Sequence, residues 1–459
     1  MRLVPGVVLG LVLLTSPACA DAKQRYAAPN GTGEVCTQAA PCTLADAVDE
    51  ASEGDEVIVG AGDYQVTGTP INVVDGGLRI HGDLGGPMPR ISAQLGGLPA
   101  IRVNAAGATL SYLDVINEET EGVGVDCLSQ SQVERVSALG IGEGAAGLRQ
   151  FRGCLVRDSL LRGRGTNSIG MESLAIEAGE PVAVARNLTA IATGENSVGI
   201  QSRYSNSGEG HHTLLLSNSI ARGGAFDLRA DDSLAGPGNI TVSNSNFNTI
   251  SEKGAAALSG AANQNSTPLF LNPAAGDYRE APGSPTIDAG SVEGLGPLDL
   301  GGNPRLLGPA PDIGAFEFVP PPPPVAAPAL TSLSVSPRSF RARSAGEAIV
   351  SRARRGKRAG ATVRYGLTAV ASVGFTVERA LMGRRVGGRC RKQTTANRGR
   401  KRCTRFRAIR GTFSLQGVTG ANAFRFSGRL GGRALKPGRY RLVAKAGASV
   451  KRAGFRISG

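Results

Sequence analysis

The densest gathering of groups that could do chemistry lies between positions 203 and 232, where Arg203, Glu209, His211, His212, Arg229, Asp231 and Asp232 follow one another. A pair of carboxylates can cleave a glycosidic bond as acid and base, or as acid and nucleophile. A base beside a calcium-binding acidic cluster can instead remove the α-proton of a uronate. Asp231, Asp232 and His211 are therefore the catalytic candidates. Adjacent strand residues point to opposite faces, so the two aspartates need not share a groove. The competing reading is a polar loop leaving the body of the protein.

Asp288, Asp299 and Asp312, with Glu317, form a second acidic set and are the metal candidates. Such residues also cap turns by accepting hydrogen bonds from nearby backbone. No Cys/His spacing suits zinc, the chain has three histidines, and no glycine-rich phosphate loop joins a strand to a helix. No cofactor is implied, and calcium is the one ion left open.

Charge is sharply divided. The chain carries +14 overall, yet residues 331–459 hold 32 Lys and Arg against two acids, Glu347 and Glu378. The remaining residues are net acidic. A module this basic repels itself and attracts polyanions. Its densest stretches supply the contact candidates Arg352, Arg354, Arg355, Lys357 and Arg358, then Arg391, Lys392, Arg400, Lys401 and Arg402. An anionic cell-wall polymer or acidic polysaccharide is the expected partner, with nucleic acid only if met outside the cell. Aromatics are 4% and Trp is absent, which argues against stacking platforms for neutral sugars. A solvated basic face is the alternative.

The elements that must carry these groups are repetitive. At 459 residues with 65 glycines, the chain suits a solenoid, whose repeats pack only on their neighbours. Residues 1–20 read as a signal peptide: Met1-Arg2, an apolar run to Leu14 too short to span a membrane, and Ala18-Cys19-Ala20 as cleavage site. Lipid attachment at Cys19 is the competing reading. Cleavage leaves six cysteines for an oxidising compartment: Cys36 with Cys42, Cys390 with Cys403, and Cys127 and Cys154 either paired or free.

Segments around Asp114, Ser137, Ser159, Leu188, Ser219 and Ser245 alternate small apolar and polar residues, as short half-buried strands do. Asp158, Asn187, Asn218 and Asn244 stand just before the last four. Stacked there, such side chains can bond along the solenoid and tolerate a left-handed turn. Residues 319–329, with five consecutive prolines at 320–324, form a semi-rigid linker. Beyond it, Thr362–Tyr365, Val373–Val377, Thr412–Leu415, Ala423–Ser427 and Arg439–Ala444 alternate as strands of an antiparallel sandwich over residues 330–459.

Tyr26-Ala-Ala-Pro-Asn-Gly, Pro41-Cys-Thr-Leu-Ala-Asp-Ala-Val and Gly62-Asp-Tyr resemble the entry of secreted, pectate-lyase-like right-handed β-helix proteins. That resemblance implies a short capping helix before the first coil. Pro268-Leu-Phe-Leu-Asn-Pro, Gly283-Ser-Pro-Thr-Ile-Asp-Ala-Gly, Asp299-Leu-Gly-Gly-Asn-Pro-Arg and Asp312-Ile-Gly-Ala-Phe-Glu resemble the terminal module of choice-of-anchor Q surface proteins. Asp231-Asp232 resembles the paired aspartates of polygalacturonases, although that family's Gly-His-Gly and Arg-Ile-Lys segments are missing. The basic module is similar to terminal domains of secreted proteins of high-GC Gram-positive bacteria, and that similarity implies no activity.

The expectation is an all-β chain: a right-handed parallel β-helix over residues 21–318, the linker, then a small antiparallel β-sandwich. It is read as a secreted or cell-surface monomer without a membrane span. The basic domain would retain a non-catalytic β-helix at the envelope; a lyase or hydrolase of acidic polysaccharide is the alternative.

Overall fold

The computed structural model describes residues 22–205, 210–233, 236–321, 327–350 and 359–459. The proposed signal peptide lies outside these residues, as does most of the proline run. The chain divides into two compact units, residues 1–321 and 322–459.

The first unit is a right-handed parallel β-helix of three ladders. The first ladder begins at Gln24–Ala27, Glu56–Val59 and Arg79–Gly82. It continues through the front halves of Thr109–Asn117 and Gln132–Ile141, then Leu155–Arg157, Ala183–Arg186, His212–Ser217 and Gly236–Ser243. The second takes Asp63–Val66, Arg90–Ala93, the back halves of the two long strands, Leu160–Arg164, Thr189–Thr193 and Ile220–Arg222. The third stacks Ile71–Val73, Pro99–Val103, Val123–Cys127, Ala146–Phe151, Ile169–Ala175, Val198–Tyr204, Phe226–Ser233 and Ile250–Glu252.

Period-two alternation turns one column inward on every coil: Leu110, Val133, Val156, Ala185, Leu216 and Val242 are all buried. Helix Leu44–Asp49, capped by the Thr43 hydroxyl accepting from the Asp46 backbone N–H, buries Leu44, Ala47 and Val48 in the same core. Two close approaches set the cross-section. At the corner between the first and second ladders, Tyr112, Arg135, Asp158, Asn187, Asn218 and Asn244 each adopt φ of 47–54°. At the start of the third ladder, Gly124, Gly147, Gly170 and Gly199 share one column. A Cβ on Gly147 would lie 2.6 Å from the Arg162 backbone nitrogen, so only glycine lets the two ladders pass there.

The left-handed corner corrects the sequence alignment. True register pairs Asp114 and Ser137 with Leu160, Thr189 and Ile220, one residue beyond the expected Ser159, Leu188 and Ser219. The corner residue, not the following serine, keeps the repeat in phase. The expected side-chain ladder is also partial. The Asn187 amide donates to Asp158 at 3.0 Å, but Asn218 turns to the backbone of Ser291.

Residues 265–318 then run back over this corner. Ser291 meets Asn218, the Gly294 carbonyl accepts from Arg186 at 2.9 Å, and the Asp299 carbonyl accepts from Arg135 at 3.1 Å. The Ala315 N–H returns to the Thr189 hydroxyl at 3.0 Å. This segment is a strap crossing successive coils.

The second unit is an antiparallel sandwich. One sheet holds Leu330–Ser336, Ala361–Leu367 and Gly420–Phe426. The other holds Ser449–Ile457, Gly438–Ala446, Ala371–Val386 and Arg402–Gly417. Between them Phe375, Phe426, Tyr365, Tyr440 and Phe455 are buried, with Phe413 and Phe424 packed against Phe375. The chain's few rings are concentrated where a two-sheet core needs volume.

Candidate polyanion interface

Strands Ala371–Val386 and Arg402–Gly417 pair almost from end to end. Only Gly374–Arg379 of the first also pairs with Gly438–Ala446. Past Arg379 the two strands therefore leave the sheet as a ribbon, just beyond a register shift between Thr376 and Glu378. Such a bulge increases local twist.

The ribbon tip is folded. Arg389–Lys392 pairs back onto Gly383–Val386, and the Cys390–Cys403 disulfide staples it with Cα atoms 5.9 Å apart. The Arg384 guanidinium donates to the Gln393 side chain and the Arg400 carbonyl, both at 2.9 Å, while Thr394 and Asn397 cap the turn between.

Residues 379–410 carry thirteen Lys and Arg and no acid. Arg391, Lys392, Arg400, Lys401 and Arg402 are all exposed there. Arg352, Arg354, Arg355, Lys357 and Arg358 lie outside the described residues. Glu378, at the ribbon's root, is taken by Arg441, whose guanidinium sits 3.8 Å from the centre of the Phe406 ring. The arrangement presents cations on a braced scaffold, which lowers the ordering cost of binding an extended anion.

The solenoid's catalytic candidates do not assemble. Asp231 faces out from the third ladder, 3.5 Å from Lys253 and 3.4 Å from the Gln201 amide. Asp232 accepts the Ala255 backbone N–H at 2.7 Å. His211 is exposed, and among the described residues no hydrogen bond or ion pair joins it to either aspartate. Its neighbour His212 is inside the solenoid, 2.8 Å from the Ser173 hydroxyl, which donates to Gln150. Burial, helped by His211, pushes His212 down to about 4 and keeps it neutral.

A feature missed in the sequence runs along the outside of the third ladder. Register stacks Arg102, Asp126, Arg149, Glu172, Gln201 and Arg229. Arg149 holds Asp126 with bonds of 2.8 and 3.0 Å, and Arg203 holds Glu172 at 2.6 Å. Burial opposes the Arg149 charge, but bonding to Asp126 outweighs it and raises the pKa. Carboxylates and cations thus share one strand face, largely satisfying one another.

The metal candidates are structural. Asp299 accepts from the backbone of Asn303 (2.6 Å) and Glu317 (2.8 Å). Asp312 accepts from the backbone of Asp288 (2.7 Å) and from Phe318. Arg305, 1% exposed, lies 3.4 Å from Asp158 and 3.3 Å from Glu317. Backbone donors occupy Asp299 and Asp312 and Arg305 lies beside Glu317, so these three carboxylates form no open calcium set. No group of three or more His, Cys, Asp and Glu among the described residues could hold a metal. Burial pushes Glu280 and Glu317 up to about 8 and raises Asp312 and Asp158. Cys36–Cys42 and Cys127–Cys154 are both disulfides, which closes the question left open for the second pair. No helix among the described residues is long and apolar enough to cross a membrane.

No family model matches the chain. None of the curated proteins matches it either. Among solved structures, it is similar to the pectate lyase Pel9A at 14% identity and a TM-score of 0.40, over 65% of this chain and 97% of that one. It is similar to a pectin methylesterase from Aspergillus niger at 12% and 0.33, over 53% and 92%. The pectin methylesterase PemA from Erwinia chrysanthemi matches at 13% and 0.28, over 50% and 80%. The three stacked ladders themselves establish what the chain is: an all-β protein with a right-handed parallel β-helix and antiparallel sheets after it.

Proposed function

We propose that the protein is an extracellular, non-catalytic β-helix held at the cell envelope by its basic sandwich, which binds an anionic wall polymer or acidic polysaccharide. The observation that carries this is the braced ribbon of residues 379–410, thirteen cations without an acid. The strap over residues 265–318 is the proposed choice-of-anchor Q module, and three disulfides suit an oxidising compartment. The test is retention: full-length protein and a form ending at residue 321 are expressed in a Gram-positive host and assayed in wall and medium fractions. The full chain should stay on the wall at low salt and wash off as ionic strength rises. Equal retention of the truncated form, or indifference to salt, overturns the reading.

A second reading has one observation in its favour, the shared strand face of Asp126, Glu172, Asp231, Arg149 and Lys253. It would make the solenoid a lyase or hydrolase of acidic polysaccharide. Incubation with polygalacturonate, with calcium or chelator, should then yield unsaturated ends or new reducing ends that Asp231→Ala abolishes. Activity indifferent to that change removes the assignment.

A further inference from the structure

A cleft of about 580 Å³ opens at the root of the ribbon, within the size range of small-ligand sites. Ile409, Leu430 and Leu435 give it apolar walls, and Arg379, Arg410, Arg433 and Lys436 surround them. The hairpin that forms one side pairs Arg429–Leu430 with Arg433–Ala434 through Gly431 and Gly432, at φ of 55° and 74°. These two positive φ values are what so tight a turn requires.

The cleft is held in shape by contacts that leave its charge free. Arg379 donates to the Pro437 carbonyl at 3.4 Å and lies 5.9 Å from the centre of the Tyr440 ring. The Tyr440 hydroxyl donates to the Lys436 carbonyl at 2.6 Å. Among the described residues no carboxylate lines the cleft. Glu378 pairs in register with Arg441, on the opposite strand face from Arg379 and Tyr440.

This combination narrows the occupant. A bare phosphate needs no apolar wall, and a neutral sugar needs no cations. A nucleic-acid base needs an open aromatic face, but Tyr440 is stacked on Phe455 and covered by Arg379. Resting on the polyanion reading, the geometry points to this cleft as the seat of a short uronate stretch of the bound polymer. The sugar carboxylates meet Arg379, Arg410, Arg433 and Lys436. The C–H face of a pyranose ring lies on Ile409, Leu430 and Leu435.

The experiment uses the full chain, with trigalacturonate, its methyl ester, inorganic phosphate and long polygalacturonate as probes in calorimetry. A cleft variant carries Arg410→Ala with Arg433→Ala; both residues are exposed, so folding is spared. A tip variant carries Arg391→Ala, Lys392→Ala, Lys401→Ala and Arg402→Ala. The cleft variant should lose roughly tenfold in affinity for trigalacturonate, and the methyl ester should bind more weakly by a similar factor. The tip variant should change trigalacturonate binding by less than about twofold while weakening the long polymer. The inference is overturned if the ester binds as tightly, if phosphate at equal concentration displaces trigalacturonate, or if the tip variant loses it equally. In each case long-polymer binding that fails only in the tip variant leaves the polyanion reading intact. Failure of the wild type to bind any polygalacturonate, long or short, overturns the inference, while salt-sensitive retention on the wall decides the polyanion reading separately.

Discussion

The solenoid and the sandwich use charge in opposite ways. The solenoid is acidic overall, yet its ionised groups are matched against one another: Arg102 and Arg149 with Asp126, Arg203 with Glu172, Arg305 with Asp158 and Glu317. The sandwich has two acids for more than thirty bases, and Glu378 is already taken by Arg441. Charge inside a fold is matched because unmatched burial is expensive. Charge left unmatched on an exposed ribbon raises self-repulsion, and a partner relieves it. Substitutions in the solenoid should therefore act on stability, and those in the ribbon on binding.

The sharpest break of that comparison is Arg305→Ala. Above about pH 8, where Glu317 is ionised, it strands Asp158 and Glu317 beneath the strap, and loss of one partner of a buried pair costs about 3–5 kcal/mol. Denaturation of residues 22–321, followed by circular dichroism since the chain has no Trp, should show a loss of that size. Adding Asp158→Asn and Glu317→Gln should recover most of it, because no buried charge then lacks its partner. A loss below about 1 kcal/mol would mean that the strap is not held by this cluster.

The next effect is on pH. Glu280 and Glu317 have folded pKa values raised to about 8 by burial. Below about pH 4.5 both states hold these protons and the stabilisation is fully present. As pH rises to about 8 the unfolded chain releases protons that the folded one keeps, so stability falls. Asp55 acts in the reverse sense. Burial alone would raise it, but the backbone N–H groups of Lys23 and Ser52 and the Arg25 side chain bring its pKa down, so its share is lost in strong acid. The solenoid should be most stable in mild acid, and Glu280→Gln with Glu317→Gln should flatten the alkaline limb. A third break is Gly147→Ala, whose added methyl meets backbone on two sides. It should cost about 1–3 kcal/mol by overpacking, read as a lower melting temperature.

What the sequence disclosed follows from how local each cause is. Asp158, Asn187, Asn218 and Asn244 announce a left-handed corner because their side chains favour one. Tyr112 and Arg135 adopt the same φ but do not advertise it; the coils above and below impose it. The sandwich strands were legible from alternation, whereas the ribbon extending their pairing was hidden behind its arginines. Arg305 gave no sign of its burial, since its partner Asp158 comes from a distant coil. The charged column of the third ladder stayed invisible for a related reason. Coil lengths vary, so register across coils cannot be counted along the chain.

The disulfides sharpen the same contrast with the smallest expected effect. Cys36, Cys42, Cys127 and Cys154 are at most 1% exposed within the solenoid core, while Cys390 and Cys403 are half-buried on the ribbon. Mild reductant should open Cys390–Cys403 first, because thiol exchange needs access to a sulfur. A crosslink of this span, 13 residues, can contribute about 3 kcal/mol when the closed loop unfolds with its domain. The ribbon beyond Arg379, however, is paired only to itself, and it meets the core sheet at its root, where Arg441 lies over the Phe406 ring. Its opening is therefore local, at little cost to the sandwich. Cys390→Ser with Cys403→Ser should leave the sandwich's global stability within about 1 kcal/mol. Affinity for polygalacturonate should fall several-fold, because the tip must then be ordered at the moment of binding. A large drop in global stability would show instead that the ribbon is part of the sandwich's cooperative unit. The separation between charge that folds the protein and charge that binds its partner would then fail at that point.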